Sequence, residues 1–206
     1  MKRIEIHPVN PQPRLIGQVA AQFQTGALVA LPTDASYVLA CHLEDRQAVE
    51  RLRQVRGIDD KHLLTLMCRD LSELSQYAQV DNRQFRFLKE WTPGAYTFIL
   101  PATREVPRRL MHPSRKTLGL RVPDAPIVLA LLAELGAPLL CASLILPGDG
   151  NPLSEPDDIE DRIGKRIDLL VDGGAGSLEA TSVIDVTGDE PVIQRVGLGP
   201  VEAMLR

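Results

Sequence analysis

Hydroxyl and guanidinium side chains recur at the ends of the apolar runs of this chain: Thr33 after ALVALP, Thr65 within LLTLM, Thr117 and Arg121 around LGL, Ser143 after PLLCA, Thr181 and Ser182 before VID, and Arg195 after VIQ. An arginine supplies a planar fork that fits phosphate or carboxylate, and a hydroxyl supplies short hydrogen bonds that orient a small substrate. Any one of them alone is an ordinary strand threonine or surface arginine. Together, at successive strand ends, they are what the wall of a pocket requires. The turn in LPTDASYVLA, with Thr33 and Asp34, fits two readings at this level, a corner of such a pocket or a plain turn and cap. GxxxxGK[ST] and GxGxxG are both missing, so any nucleotide chemistry must rest on side chains; GxSxG and HExxH are missing too. His7, His42, His62 and His112 lack ligand spacing, and each reads as a surface or internally satisfied histidine. Cys41, Cys68 and Cys141 stand singly in apolar runs and read as buried free thiols, so no metal site is expected.

The elements that would hold these residues follow from periodicity. Residues 11 to 25 put Leu15, Val19 and Phe23 on one helical stripe that ends near Gly26, and the strand ALVAL follows. After PTD comes the strand YVLACH, then a helix capped by Asp45 with Val49, Leu52 and Val55 inward and Arg56 at its exit. LLTLM is a strand, Asp70 and Glu73 form a capping box for LSELSQYA, and Asp81 caps a helix through Trp91. TPGAYTFILP, LGLRVP and PLLCAS supply further strands, with a helix from Pro123-Asp124 to about Gly136. The helix PDDIEDRIG, the strands DLLVD and TSVID around the turn-like GGAGSLEA, and VIQRV complete the series, and no element is assigned before residue 11. Strands alternating with helices indicate a layered α/β architecture, and the direct passage from ALVAL to YVLACH makes its sheet mixed.

At 206 residues, the chain is read as one domain, 1-206. Hydrophobic residues make up 44% and charged residues 24%, which suits a globular protein and argues against disorder. No apolar run approaches the ~18 residues that span a bilayer, so a cytoplasmic protein with no membrane partner is expected. The net charge of -4 is unevenly spread. Arg104, Arg108, Arg109, Arg115, Lys116 and Arg121 face the single acid Glu105 between residues 101 and 121, whereas Asp157, Asp158, Glu160 and Asp161 crowd a later helix. An acidic protein with one basic segment is poorly suited to coating nucleic acid nonspecifically, and well suited to holding a single polyanion in a defined place; no DNA partner is expected. A solvated basic loop is the plainer alternative.

PTDASYVLA, QVRGIDDKHLLTLM, TPGAYTFIL, TLGLRVPDAPI, APLLCASLILPG, TSVIDV and QRVG occur in this order. In that order and near that spacing, the chain resembles the YrdC-like threonylcarbamoyl-AMP synthases over residues 28 to 197, and among them most resembles the YciO-type paralogues. The resemblance implies an α/β (α+β) fold, a three-layer twisted open mixed sheet flanked by helices around a central basic cavity. It implies a reaction joining L-threonine, bicarbonate and ATP, with Mg²⁺, into threonylcarbamoyl-AMP and pyrophosphate, for modification of adenosine 37 in tRNA. By motif, Thr33, Arg121 and Thr181 would bind substrate, with Arg121 on the threonine carboxylate. Arg56 and Lys61 would meet the triphosphate and serve catalysis, and Thr117, Ser143 and Arg195 would complete nucleotide binding. Two departures stand out: the family's KxR reads Gln54-Val55-Arg56, and its SAN reads Ser143-Leu144-Ile145. One charged contact to phosphate is worth about 1.5 to 3 kcal/mol, so weakened or diverged activity is one expectation. The others are a non-catalytic protein binding double-stranded RNA, ribosome-associated, through the same basic cavity, and a pocket that senses a small ligand without turnover.

Overall fold

Proline and aspartate start the helices. In the computed structural model, which describes residues 1 to 206, Pro13 opens α1 (Pro13–Gln24), where a missing N–H costs nothing. Asp45, Asp70 and Asp81 cap α2 (Arg46–Arg56), α3 (Leu71–Tyr77) and α4 (Asn82–Trp91), accepting hydrogen bonds from Ala48, Glu73 and Gln84 N–H at 2.9, 2.8 and 2.7 Å. The box at Asp81 is reciprocal, because Gln84 accepts from the Asp81 N–H. The one at Asp70 is not: Glu73 reaches one residue further back, to the Arg69 N–H. Pro126 and Pro156 open α5 (Pro126–Leu135) and α6 (Pro156–Ile163), the former starting later than Pro123-Asp124 predicts.

Ten strands form one mixed sheet. They are β1 (Lys2–Glu5), β2 (Val29–Leu31), β3 (Val38–His42), β4 (Thr65–Met67), β5 (Tyr96–Pro101), β6 (Thr117–Arg121), β7 (Leu139–Ser143), β8 (Leu169–Asp172), β9 (Ser182–Asp185) and β10 (Val192–Arg195). Their spatial order is β1, β8, β2, β3, β7, β4, β6, β5, β9, β10. The β2–β3 pair is antiparallel, as the short PTD passage requires, whereas β4–β6 and β5–β9 are parallel. β1 was not assigned from the sequence, although Ile4 and Ile6 alternate there with Arg3, Glu5 and His7. It pairs in parallel with β8 at the sheet edge, burying Ile4 while Arg3 bonds to Asp157, Glu160 and Asp172 at 2.7 to 2.8 Å.

Alternate strand residues feed two cores, which makes the structure three-layered. Leu28, Ala30, Leu39, Leu66 and Leu140 pack toward α2, α3, α4 and α6, against Leu52, Leu74, Leu88 and Ile159. Val29, Leu31, Ala40 and Val171 pack the other way, against Ile16, Val19 and Phe23 of α1 and Val128 and Leu131 of α5. The pair α1 and α5 therefore covers β8, β2 and β3. Further along the same face, around β7, β4, β6, β5 and β9, the side chains turn polar and a cavity opens.

Candidate functional site

The cavity floor is set by strand register. Thr65 on β4 lies opposite Gly119 on β6 and Cys141 on β7, Ile99 on β5 lies opposite the same Gly119, and Thr97 lies opposite Val183 on β9. Gly119 is a matter of space. A Cβ there would stand 2.7 Å from the Thr65 hydroxyl and 2.9 Å from the Thr97 methyl. The volume enclosed is ≈360 Å³, within the small-molecule range.

Four arginines line this volume, Arg56, Arg115, Arg121 and Arg195, and no carboxylate does. Arg56 extends from the last turn of α2, just before Gly57, which ends the helix at φ 65°. It is 9% exposed, donates from Nη1 to the Ile145 carbonyl, and has a buried Nε without a partner. Arg121, 2% exposed, donates from Nη2 to Asp34, and its Nε is likewise unpartnered. Asp34 is thus no cap for a helix: one oxygen takes Arg121 and the other accepts from the Asp124 N–H at 2.9 Å. Arg195, more open to solvent, donates from Nε and Nη2 to the Thr181 carbonyl at 3.1 and 2.8 Å. The Thr181 hydroxyl lies 2.8 Å from that of Thr97. Burial, and for Arg56 also the neighbouring charge of Arg195, holds the pKa values of Arg56 and Arg195 below the ordinary arginine value. Arginines remain charged at neutral pH, and of the four only Arg121 has a carboxylate partner, Asp34, so the cavity holds more positive charge than its surroundings compensate. An entering anion would relieve that excess.

Of the residues singled out in the sequence, Arg56, Thr65, Arg121, Ser143, Thr181 and Arg195 converge on the cavity. Lys61 is exposed outside its lining, and its N–H donates to Asp59 Oδ1 at 3.0 Å. The Thr33 hydroxyl is committed to its own turn, donating to the Ser36 carbonyl at 2.7 Å and accepting from the Ala35 N–H at 3.0 Å. Thr117 is buried on β6, two residues short of Gly119 and outside the lining. The sequence left Thr97 unremarked, read His62 as a surface or internally satisfied histidine, and named Arg115 only as part of the basic segment, yet all three line the cavity. Thr97 looks like any strand threonine. Arg115 stood among six cations, and the fold separates it from Arg109, which donates to the Leu43 and Glu44 carbonyls on the far side of α2.

Both motif departures acquire a location. Gln54 and Arg56 are two residues apart on α2, about 200° around the helix, so position 54 points away from the cavity. It lines an outer groove of ≈650 Å³ in which Arg46, Arg53 and Arg109 are balanced by Glu50, Asp59 and Asp60, and which therefore has no net attraction for a polyanion. At the other departure, the Ile145 side chain lines the cavity while its carbonyl anchors Arg56. Cys141 also lines the cavity, but burial pushes its thiol up to about 12 despite nearby Arg121, so it is no nucleophile at neutral pH. No three His, Cys, Asp or Glu side chains are grouped so as to hold a metal ion, and no helix is long and apolar enough to cross a membrane.

A three-layer mixed sheet whose helix-free half-face gathers arginines into a cavity defines a protein of the YrdC-like fold. The chain belongs to the Sua5/YciO/YrdC family, whose model, described as "Telomere recombination", matches residues 21–197. It is 51% identical over 200 residues to YciO of Escherichia coli strain K12, a protein described as uncharacterized, covering 97% of both chains. The crystal structure of E. coli YciO superimposes with a TM-score of 0.96, at 50% identity over 99% of this chain and 100% of that one. The threonylcarbamoyl-AMP synthase of Bacillus subtilis strain 168 is 29% identical over 94% of this chain and 55% of its own length. Sua5 of P. abyssi, crystallised with L-threonine, gives a TM-score of 0.90 at 25% identity, over 99% of this chain and 60% of that one.

Proposed function

We propose that this protein is an ATP-dependent L-threonylcarbamoyladenylate synthase-like enzyme, acting on L-threonine, bicarbonate and ATP to form threonylcarbamoyl-AMP and pyrophosphate in a tRNA modification pathway. The observation that carries this reading is the cavity itself, where four arginines meet, only Arg121 has a carboxylate partner, and two buried Nε groups lack partners. Such a site favours a compact polyanion, and attack at an α-phosphate needs its oxygens neutralised by fixed charges. Arg56 and Arg195 would neutralise the phosphates, and Ser143 and Thr181 would orient them. Arg121, with Nη2 held by Asp34, would offer its remaining donors to the threonine carboxylate. Since no carboxylate lines the cavity, Mg²⁺ would enter on the phosphate oxygens, where it adds charge stabilisation. The synthase relatives support the choice of substrates. Three buried free thiols fit a reducing compartment such as the cytoplasm.

The test is pyrophosphate release from ATP, Mg²⁺ and bicarbonate, with and without L-threonine, beside an Arg121→Ala control. Threonine-dependent release that the control loses is the expected result. Binding of ATP without any release would overturn the synthase reading and favour a ligand sensor. A second reading, binding of tRNA or double-stranded RNA, is favoured by the exposed Arg104, Arg108 and Arg115. It predicts RNA affinity that falls by orders of magnitude between 50 and 200 mM salt, roughly as counterion release requires.

A further inference from the structure

Three of the four histidines share one structural use. The Nδ1 of His7 accepts from the Val9 and Asn10 N–H groups, that of His42 from Glu44, and that of His112 from Ser114 and Arg115, at 2.9 to 3.3 Å. Each is fastened into a turn. His62 differs: the protein bonds only to its backbone N–H, which donates to Asp59 Oδ1 at 3.2 Å and to the Asp59 carbonyl at 3.3 Å, and both ring nitrogens are left free. It is also the one histidine in the lining of the arginine cavity.

The groups facing His62 come from every side of that wall. Arg53 and Arg56 lie on α2, Asp59 on the loop after it, and Arg195 on β10, while Arg115, Arg121 and Cys141 complete the titratable lining. His62 is exposed over much of its surface yet contributes to the wall. Burial, then the charges of Arg56 and Arg53, lower its pKa against the opposing pull of Asp59. Arginines stay charged and the Cys141 thiol stays protonated near neutrality, so His62 is the lining side chain whose charge changes there.

We propose that His62 is the proton-coupling residue of the cavity: neutral while the cavity is empty, it takes up a proton from solvent as a pyrophosphate or nucleotide ligand enters, and donates a hydrogen bond to that ligand. This rests on reading the cavity as an anion site. The physical sequence is simple. A bound polyanion offsets the repulsion of Arg53, Arg56 and Arg195 and adds an attraction of its own, so the protonated ring is favoured in the complex. Reciprocally, binding strengthens as pH falls from above the midpoint of the complex toward that of the free protein, by about tenfold for each unit separating the two.

The test is a titration of the imidazole Cε1–H resonances of the full-length protein by ¹H–¹³C spectroscopy, with and without saturating pyrophosphate, using His62→Gln to identify the His62 signal. The expected result is a His62 midpoint below the ordinary histidine value in the free protein, moving up by one unit or more with ligand. Backbone amide spectra recorded alongside report whether pyrophosphate reaches Ser143 and Thr181. If those amides respond while the His62 midpoint stays, the inference is overturned and the anion-site reading stands. If no cavity amide responds, the anion-site reading falls and takes the inference with it.

Discussion

Asp34→Ala tests whether the substrate arginine is held by the PTD turn. The Arg121 and Asp34 side chains are 3% and 11% exposed, and the carboxylate also takes the Asp124 N–H at 2.9 Å. Removing one partner of a buried ion pair costs about 3 to 5 kcal/mol, because the other charge stays buried and uncompensated. Arg121 lines the cavity, so an ion entering from solvent can partly compensate it and the lower end applies, about 3 kcal/mol. For a chain of this length that corresponds to a fall in Tm of about 6 to 12 °C. The same change frees an arginine for ligand. Pyrophosphate should therefore stabilise the variant more than the wild type, where saturation at a hundred times Kd gives about 2.7 kcal/mol. Urea unfolding with and without pyrophosphate measures both quantities, and an unchanged m-value confirms that stability alone is being compared. A loss below about 1 kcal/mol would refute the buried-pair reasoning. Equal stabilisation of variant and wild type would refute the expectation that Arg121, once released from Asp34, adds to ligand binding.

Arg195→Ala removes a charge aimed at the ligand and should weaken ATP or pyrophosphate binding by about tenfold to a hundredfold in isothermal titration; unchanged affinity would move the anion site elsewhere. Gly119→Ala forces its Cβ against Thr65 and Thr97, at 2.7 and 2.9 Å, and should lower the urea midpoint by the equivalent of about 1 to 3 kcal/mol. For Asp168, burial raises the pKa, but hydrogen bonds from Arg51 and the Leu28 N–H outweigh it and leave the carboxyl below its ordinary value. Its contribution is then fully present above the unfolded carboxylate pKa and is lost as pH falls through the lower folded one. Asp168→Asn should accordingly flatten the acid limb of a stability–pH curve, and an unaltered limb would show that the pair contributes nothing.

Much of this architecture was legible locally. Asp45, Asp70 and Asp81 announce helix starts because a side-chain oxygen beside a free N–H is a property of three or four consecutive residues. The mixed sheet follows from the shortness of the PTD passage. β1 was overlooked although Arg3-Ile4-Glu5-Ile6-His7 alternates polar and apolar residues and buries both isoleucines, because so short a run means little without its partner β8, which is remote in sequence. At the site, residues recognised by type and by family motif were divided by the fold. Arg56, Thr65, Arg121, Ser143, Thr181 and Arg195 meet, whereas Lys61, Thr33 and Thr117 lie outside the lining.

What the sequence determined by itself is the kind of chemistry available: arginines and hydroxyls at strand ends, no phosphate loop, and a family pattern with two departures. Only the tertiary structure decided which of these groups share a space. It turned Gln54 away from the cavity and Arg121 toward Asp34, and it left the ring of His62 without a protein partner among three arginines. The reason is physical. Periodicity records which side of a strand or helix is apolar, while the neighbours of a polar side chain depend on strand order, and that order is set by pairings between segments far apart in the chain.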